Sequence, residues 1–293
     1  VPGIEQIVVI GGGTMGQGIA EFFASKGLDT TILEKTAELA EKAKQQIELS
    51  LAKKLSKWAI TLAEKKLILS RLHFTNETGV LKQADLVIEA VTEDLEIKKE
   101  VFRICDQLCQ TDVILASNTS TLSLTEIAAV IKRPERVIGI HFVHPVTKTP
   151  LVEVIRGLKT SQETVQEIKK LLKRIELSVV EVYESPGFVT TRLICLLINE
   201  ALYTLMEGVA SAKDIDQAMR IGYHFEKGPL EMADRFGLDY VLFSLEKLYR
   251  EFGDTKFRPA PLLKQMVRAG HLGVKTGEGF FHYDEDGDRL DIG

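Results

Sequence analysis

Short apolar runs rich in β-branched residues recur through residues 1–184: Ile7–Ile10, Thr30–Leu33, Leu72–Phe74, Leu86–Ala90, Val113–Ala116, Val137–Phe142, Leu151–Ile155 and Val179–Val182. Helical periods lie between several of them. Strand–helix alternation predicts a mainly parallel sheet covered on both faces, an α/β, doubly wound Rossmann-type arrangement. The segment Thr36–Lys57 predicts a long helix, continuing through Trp58 into a second, so a helical excursion fills residues 36–70. Thr61-Leu62-Ala63-Glu64 and Ser123-Leu124-Thr125-Glu126 both have the spacing of a capping box.

The pattern changes after Ser185-Pro186-Gly187. Phe188–Met206 predicts one long apolar helix, Ser211 opens another, and Gly222, Gly237 and Gly253 are expected stops. Strand alternation is absent from there on. The expected domains are 1–185 and an all-α 186–293, with an acidic tail, Asp284–Asp291, expected to fray. A stretch as apolar as Leu193–Ile198 predicts burial against another chain or domain, and hence an oligomer.

A chain of 293 residues with 45% hydrophobic and 27% charged residues has the composition of an ordinary globular protein. Its net charge of −5 gives no reason to expect nucleic acid. No apolar run approaches the roughly 18 residues of a membrane helix, and no signal-peptide pattern opens the sequence, so no membrane partner is expected. Cys105, Cys109 and Cys195 form no C-x-x-C pair, which argues against a disulfide framework or a metal site and predicts buried, reduced thiols in a cytoplasmic or matrix-like compartment.

The first strand runs into Gly11-Gly12-Gly13-Thr14-Met15-Gly16, a G-x-G-x-x-G, with helix formers from Ile19 to Lys26. Strand, tight turn and helix N-terminus in that order make a pyrophosphate site. Gly11 permits the turn, Gly13 lets backbone approach phosphate, and Gly16 lets helix and strand pack closely. Thr14 and Met15 begin the helix, whose open N–H groups favour an anion. Glu34 ends the second run, roughly 20 residues on, where a carboxylate accepts from ribose hydroxyls and repels a 2′-phosphate. NAD is therefore the expected cofactor.

In an open parallel sheet, ligands lie at the carboxyl ends of the strands. Glu89 to Glu93 with Lys98, Ser117 to Ser120, and His141 to Pro145 occupy such ends. Histidine suits proton exchange with a carbinol oxygen, and a carboxylate holding its other nitrogen stabilises the cation. His141 is the candidate base. Glu153, set among apolar neighbours in Pro150-Leu151-Val152-Glu153-Val154, is its candidate partner. A hydrogen-bonded core histidine and a solvent-facing strand glutamate are the alternatives.

From Ile7 to about Tyr283 the chain resembles the (3S)-3-hydroxyacyl-CoA dehydrogenases, and among them the bacterial 3-hydroxybutyryl-CoA dehydrogenases. The likeness lies in Gly11–Ala20, Ala84–Glu93, Ala116–Ser120, Gly139–Phe142 with Pro145, Leu151–Gly157, Ser185–Phe188, Asn199–Ala201, Glu207–Ala210 and Arg268–Phe281. The resemblance implies a two-domain, NAD-dependent homodimer, paired through its C-terminal helices, that interconverts 3-hydroxyacyl-CoA and 3-oxoacyl-CoA. It makes His141 the base, Glu153 its orienting carboxylate and Ser120 a hydrogen-bonding partner of the substrate oxygen. It places Glu93, Lys98, Ser120, His144 and Lys275 among the cofactor contacts, and Ser50 and Lys57 among those to coenzyme A. Lys53, Lys54 and Lys57 make that helix end cationic, as a phosphorylated ligand requires; a solvated basic face that favours the helix C-terminus is the alternative.

Two positions depart from the family pattern. Thr191 stands where an asparagine usually donates to the substrate carbonyl, and His144 stands where an asparagine precedes proline. Thr147-Lys148-Thr149-Pro150 also replaces a more apolar segment, and Pro150 is similar to dehydrogenases of free hydroxy acids such as carnitine dehydrogenase. A free 3-hydroxy acid is thus an alternative substrate, and a non-enzymatic NAD-binding or structural protein a further alternative.

Overall fold

A computed structural model describes residues 3–290 except His144 and Lys148. Its contacts divide the chain into two units, 1–185 and 186–293.

The first unit is built on one sheet of eight strands: β1 (Gln6–Ile10), β2 (Asp29–Leu33), β3 (Leu72–Thr75), β4 (Leu86–Glu89), β5 (Ile114–Ser117), β6 (Val137–Phe142), β7 (Leu151–Arg156) and β8 (Ser178–Tyr183). Each expected run is a strand, with ends within one residue of those predicted. Helices α1 (Thr14–Ser25), α2 (Ala37–Ser56), α3 (Leu62–Ser70), α4 (Leu95–Leu108), α5 (Leu124–Ala128) and α6 (Gln162–Arg174) lie between them. The order is β3-β2-β1-β4-β5-β6-β7-β8, and neighbours are parallel except β6 with β7. The order reverses between β1 and β4, which opens a crevice at their carboxyl ends.

The apolar runs become strands because both faces are covered: every residue of β4, β5 and β6 is buried. On α1, Ile19, Ala20 and Phe23 face inward, fully buried. Phe23 meets Phe142 of β6 edge-on, with ring centroids 5.8 Å apart. The helix behind the glycine turn is thereby anchored to the strand that carries His141.

The helical excursion is two helices. Thr36 caps α2 by accepting from the Leu39 N–H, and α2 ends at its C-cap Lys57. Thr61 and Glu64 form the complete capping box of α3. At Ser123 only half of the expected box is made: its hydroxyl accepts from the Glu126 N–H and donates to Glu184, while the Glu126 carboxylate goes to Lys99.

The second unit contains α7 (Thr190–Met206), α8 (Ala212–Tyr223), α9 (Pro229–Phe236), α10 (Leu238–Phe252) and α11 (Pro261–Ala269). Ile198, Leu202, Leu230, Val241, Leu245 and Leu263 are among its fully buried residues. Three details differ from expectation. The helix α7 starts at Thr190, after Phe188 has taken a left-handed φ of 48°. Gly222 lies inside α8, which His224 ends at φ 59°. The acidic tail does not fray from 284: β9 (His282–Tyr283) and β10 (Arg289–Leu290) form an antiparallel hairpin. Its turn is held by Asp284 Oδ1, which accepts from the N–H groups of Asp286 and Asp288. Aspartates there are turn formers, so their charge misled.

Candidate active site

The glycine turn obeys the geometry its sequence requires. Gly11 has φ 100°, and a Cβ there would lie 2.8 Å from the Ala90 carbonyl oxygen. A Cβ on Gly16 would come within 1.8 Å of the Gly11 oxygen, so the first turn of α1 packs directly on the loop. Around Gly13 a Cβ would meet nothing within 4 Å. Gly13 is the N-cap of α1, and Thr14, Met15 and Gly16 form its first turn, where N–H groups have no intrahelical acceptor. Glu34 follows β2, beside this loop: its Oε1 accepts from the Gly12 N–H at 2.6 Å and its Oε2 from the Lys35 N–H at 3.0 Å. A clear, N–H-lined cradle with a fixed carboxylate at the next strand end suits a dinucleotide.

Register aligns the strand ends. Leu33, Ile10, Glu89, Ser117 and Gly139 form one row across β2, β1, β4, β5 and β6. Glu89, 1% exposed, accepts from Ser117 Oγ at 2.6 Å, Lys98 Nζ at 2.6 Å and the Val91 N–H at 2.7 Å. Lys98, equally buried on α4, also pairs with Glu93 at 3.2 Å. Glu93 collects donors from the loop after β5: the hydroxyls of Thr119 and Thr121 and the N–H groups of Ser120 and Thr121. Burial opposes ionisation of Glu93, but the Lys98 charge and these hydrogen bonds outweigh it and hold the carboxyl below its ordinary range. Glu93 and Lys98 are thus brought together with the Ser120 loop, Lys98 as an internal counter-charge. Glu89 had no assigned role in the sequence. Its signal was close to the one that singled out Glu153, a lone carboxylate in an apolar run, here at the strand's end.

His141 and Glu153 are cross-strand partners in the antiparallel β6–β7 pair. His141 Nδ1 lies 2.7 Å from Glu153 Oε2, with Glu153 fully buried and His141 7% exposed. Facing pairs on one side of an antiparallel ladder are immediate neighbours, so the strands themselves align acid and base. Asn118 Oδ1 accepts from the Phe142 N–H at 3.0 Å and ties the Ser120 loop to the end of β6. Ser120 is itself buried, three residues past the end of β5.

The remaining candidates are carried by other elements. Ser50 is on α2, where its hydroxyl reaches Glu21 Oε2 at 3.4 Å, and Lys54 pairs with the same buried glutamate. Lys57 is the α2 C-cap. Thr191, buried, is in the first turn of α7, and Lys275, in the short turn Val274–Thr276, pairs with Asp239 of α10. His144 lies outside the described residues. The three cysteines are free and buried.

Comparison with known proteins gives the family. Residues 6–185 match the family model "3-hydroxyacyl-CoA dehydrogenase, NAD binding domain", and 187–283 match its C-terminal domain. The chain is 46% identical over 280 residues to the 3-hydroxybutyryl-CoA dehydrogenase of Clostridioides difficile, covering 96% of this chain and 100% of that protein. It is 44% identical to a probable 3-hydroxybutyryl-CoA dehydrogenase of Bacillus subtilis, covering 96% and 98%. The crystal structure of (S)-3-hydroxybutyryl-CoA dehydrogenase from Ralstonia eutropha superposes with a TM-score of 0.88 at 41% identity, covering 96% of this chain and 100% of that one.

Proposed function

The chain belongs to the 3-hydroxyacyl-CoA dehydrogenase family, and from that premise we propose that it oxidises a short-chain (3S)-3-hydroxyacyl-CoA, 3-hydroxybutyryl-CoA foremost, to the 3-oxoacyl-CoA, or runs the reverse. It is an NAD-dependent oxidoreductase. The observation that carries the residue assignment is the buried His141–Glu153 pair at the carboxyl end of the sheet.

Bound NAD supplies the hydride acceptor. His141 takes the hydroxyl proton on Nε2, since Nδ1 is engaged by Glu153. The Glu153 carboxylate fixes the imidazole tautomer and stabilises the imidazolium as it forms. Ser120 orients the substrate oxygen, and Glu93 holds the Ser120 backbone in place. The Glu89–Lys98–Glu93 chain keeps the loops after β4 and β5 fixed relative to each other. Such positioning supplies a share of the ~7–11 kcal/mol available from pre-oriented reactants. Thr191 and Lys275 are assigned to the substrate carbonyl and the cofactor, Ser50 and Lys57 to coenzyme A.

The test is NADH formation from 3-hydroxybutyryl-CoA, with the free 3-hydroxy acid and NADP in parallel. His141→Ala is expected to lower kcat by at least about 10² with NAD affinity nearly unchanged; loss of NAD binding instead would contradict the role given to the imidazole. Equal activity with NADP would contradict the reading of Glu34. No helix among the described residues is long and apolar enough to cross a membrane, and a cytoplasmic setting is proposed. A homodimer through the second unit is also proposed, supported by the exposure of Leu193 (63%), Val209 and Ile221; light scattering of the purified protein tests it.

A further inference from the structure

The end of α2 carries an aromatic residue that the chemistry above does not use. Trp58 is the only tryptophan of the chain, and at 94% exposure it is the most exposed large apolar side chain among the described residues. Its backbone is left-handed, φ 57°, a region that favours glycine and disfavours a bulky side chain. The Trp58 N–H bonds to the Leu55 carbonyl and the Ala59 N–H to that of Lys54. This is a helix-ending turn whose left-handed position is usually glycine. An indole there stands out from the helix end into solvent.

Its neighbours are cationic. Lys53 and Lys54 occupy the last turn of α2 and Lys57 its C-cap; Lys54 is paired with the buried Glu21, and Ser50 and Lys57, seven residues apart, lie about two helical turns apart on one face. A flat π surface beside clustered ammonium groups matches a purine nucleotide, which offers an aromatic base and phosphates together. The coenzyme A moiety is such a ligand, with an adenine, a diphosphate and a 3′-phosphate.

We propose that Trp58 stacks on the adenine of the coenzyme A moiety and makes the enzyme prefer full CoA thioesters to truncated ones. This rests on the acyl-CoA reading given above. Base–aromatic stacking is sequence-tolerant and needs only an exposed π face, which the helix-ending turn provides without any rearrangement of packed residues.

Because the chain has one tryptophan, its emission reports on this position alone. Titration with free coenzyme A should quench that emission saturably, and N-acetylcysteamine thioesters, which lack the nucleotide, should not. In Trp58→Ala the KM for 3-hydroxybutyryl-CoA should rise about fivefold or more, while kcat, the KM for NAD and the KM for the N-acetylcysteamine thioester stay unchanged. Trp58→Gly suits the left-handed backbone and should show the same rise with the fold intact; Trp58→Phe should restore part of the affinity. If coenzyme A leaves the emission unchanged, or both truncating variants keep the wild-type KM, while the wild type turns over CoA thioesters, the stacking inference fails and the substrate reading stands. If the wild type turns over no CoA thioester, the substrate reading fails and this inference with it.

Discussion

Replacing Glu153 by glutamine tests the catalytic assignment most directly. Glutamine has nearly the same shape, and its carbonyl oxygen can still accept from His141 Nδ1, so what is removed is the negative charge. The carboxylate oxygen is 2.7 Å from Nδ1 and fully buried. With charge centres about 4 Å apart and an effective dielectric near 20, the carboxylate stabilises an imidazolium by ~4 kcal/mol. The retained neutral hydrogen bond returns ~1 kcal/mol of that. A deficit of ~3 kcal/mol in the state where His141 bears the proton corresponds to a fall in kcat of roughly 10². The assay is steady-state NADH absorbance with saturating 3-hydroxybutyryl-CoA, repeated with substrate deuterated at C3 so that an isotope effect identifies the chemical step. NAD affinity and the unfolding midpoint should match the wild type. A correctly folded Glu153→Gln protein whose kcat stays within about threefold of wild type, with hydride transfer rate-limiting, would refute the argument, because a loss of ~3 kcal/mol cannot be hidden in that range.

Three other predictions concern the scaffold. Lys98→Met leaves Glu89 and Glu93 without their shared counter-charge, and denaturant titration should show a loss of ~3–5 kcal/mol. Gly13→Ala should leave stability unchanged but weaken NAD binding about tenfold or more, since the cradle is open; Gly16→Ala should disrupt the loop and lower the melting temperature as well, because its Cβ would collide with the Gly11 oxygen. Burial pushes the Asp234 carboxyl up to about 6, against the pull of the Phe280 and Phe281 N–H groups and the Tyr283 hydroxyl. The native state therefore holds this proton more tightly than the unfolded chain. The resulting stability is complete below the ordinary aspartate range and lost as pH rises through about 6. Across that window the stability of Asp234→Asn relative to wild type should climb by ~3 kcal/mol; a flat difference from pH 4 to 7 would contradict the shift.

Much of the first unit was legible because its strands are buried on both sides, and short continuous apolar runs bounded by turn residues are what such strands look like in sequence. The glycine turn was equally readable: Gly16 is forced by the Gly11 backbone five residues before it and Gly11 by its own positive φ, even though the closest atom to a Cβ on Gly11 belongs to distant Ala90. The His141–Glu153 pair was half legible. An acid among apolar neighbours demanded a partner, but only the antiparallel turn of β7 against β6 supplied it. Lys98 was harder: a lysine one turn into a helix looks like a surface residue until Glu89 and Glu93 enclose it. The hairpin at 282–290 escaped because two-residue strands leave no periodicity to detect, and His224 ended α8 where the nearby Gly222 carried the conventional signal.

Base and acid face each other across a single rung of one ladder, so their alignment does not depend on the path the chain takes between residues 142 and 151. That connection holds His144 and Pro150, two of the positions that the family resemblance marked as departures. Insertions or exchanges there can reshape what enters the cleft while the proton-handling pair keeps its spacing. Selectivity and chemistry can thus vary as separate modules, and a library at the exposed Pro145, Thr147 and Pro150, which spares the buried Val146, should alter which substrates are accepted before it silences turnover.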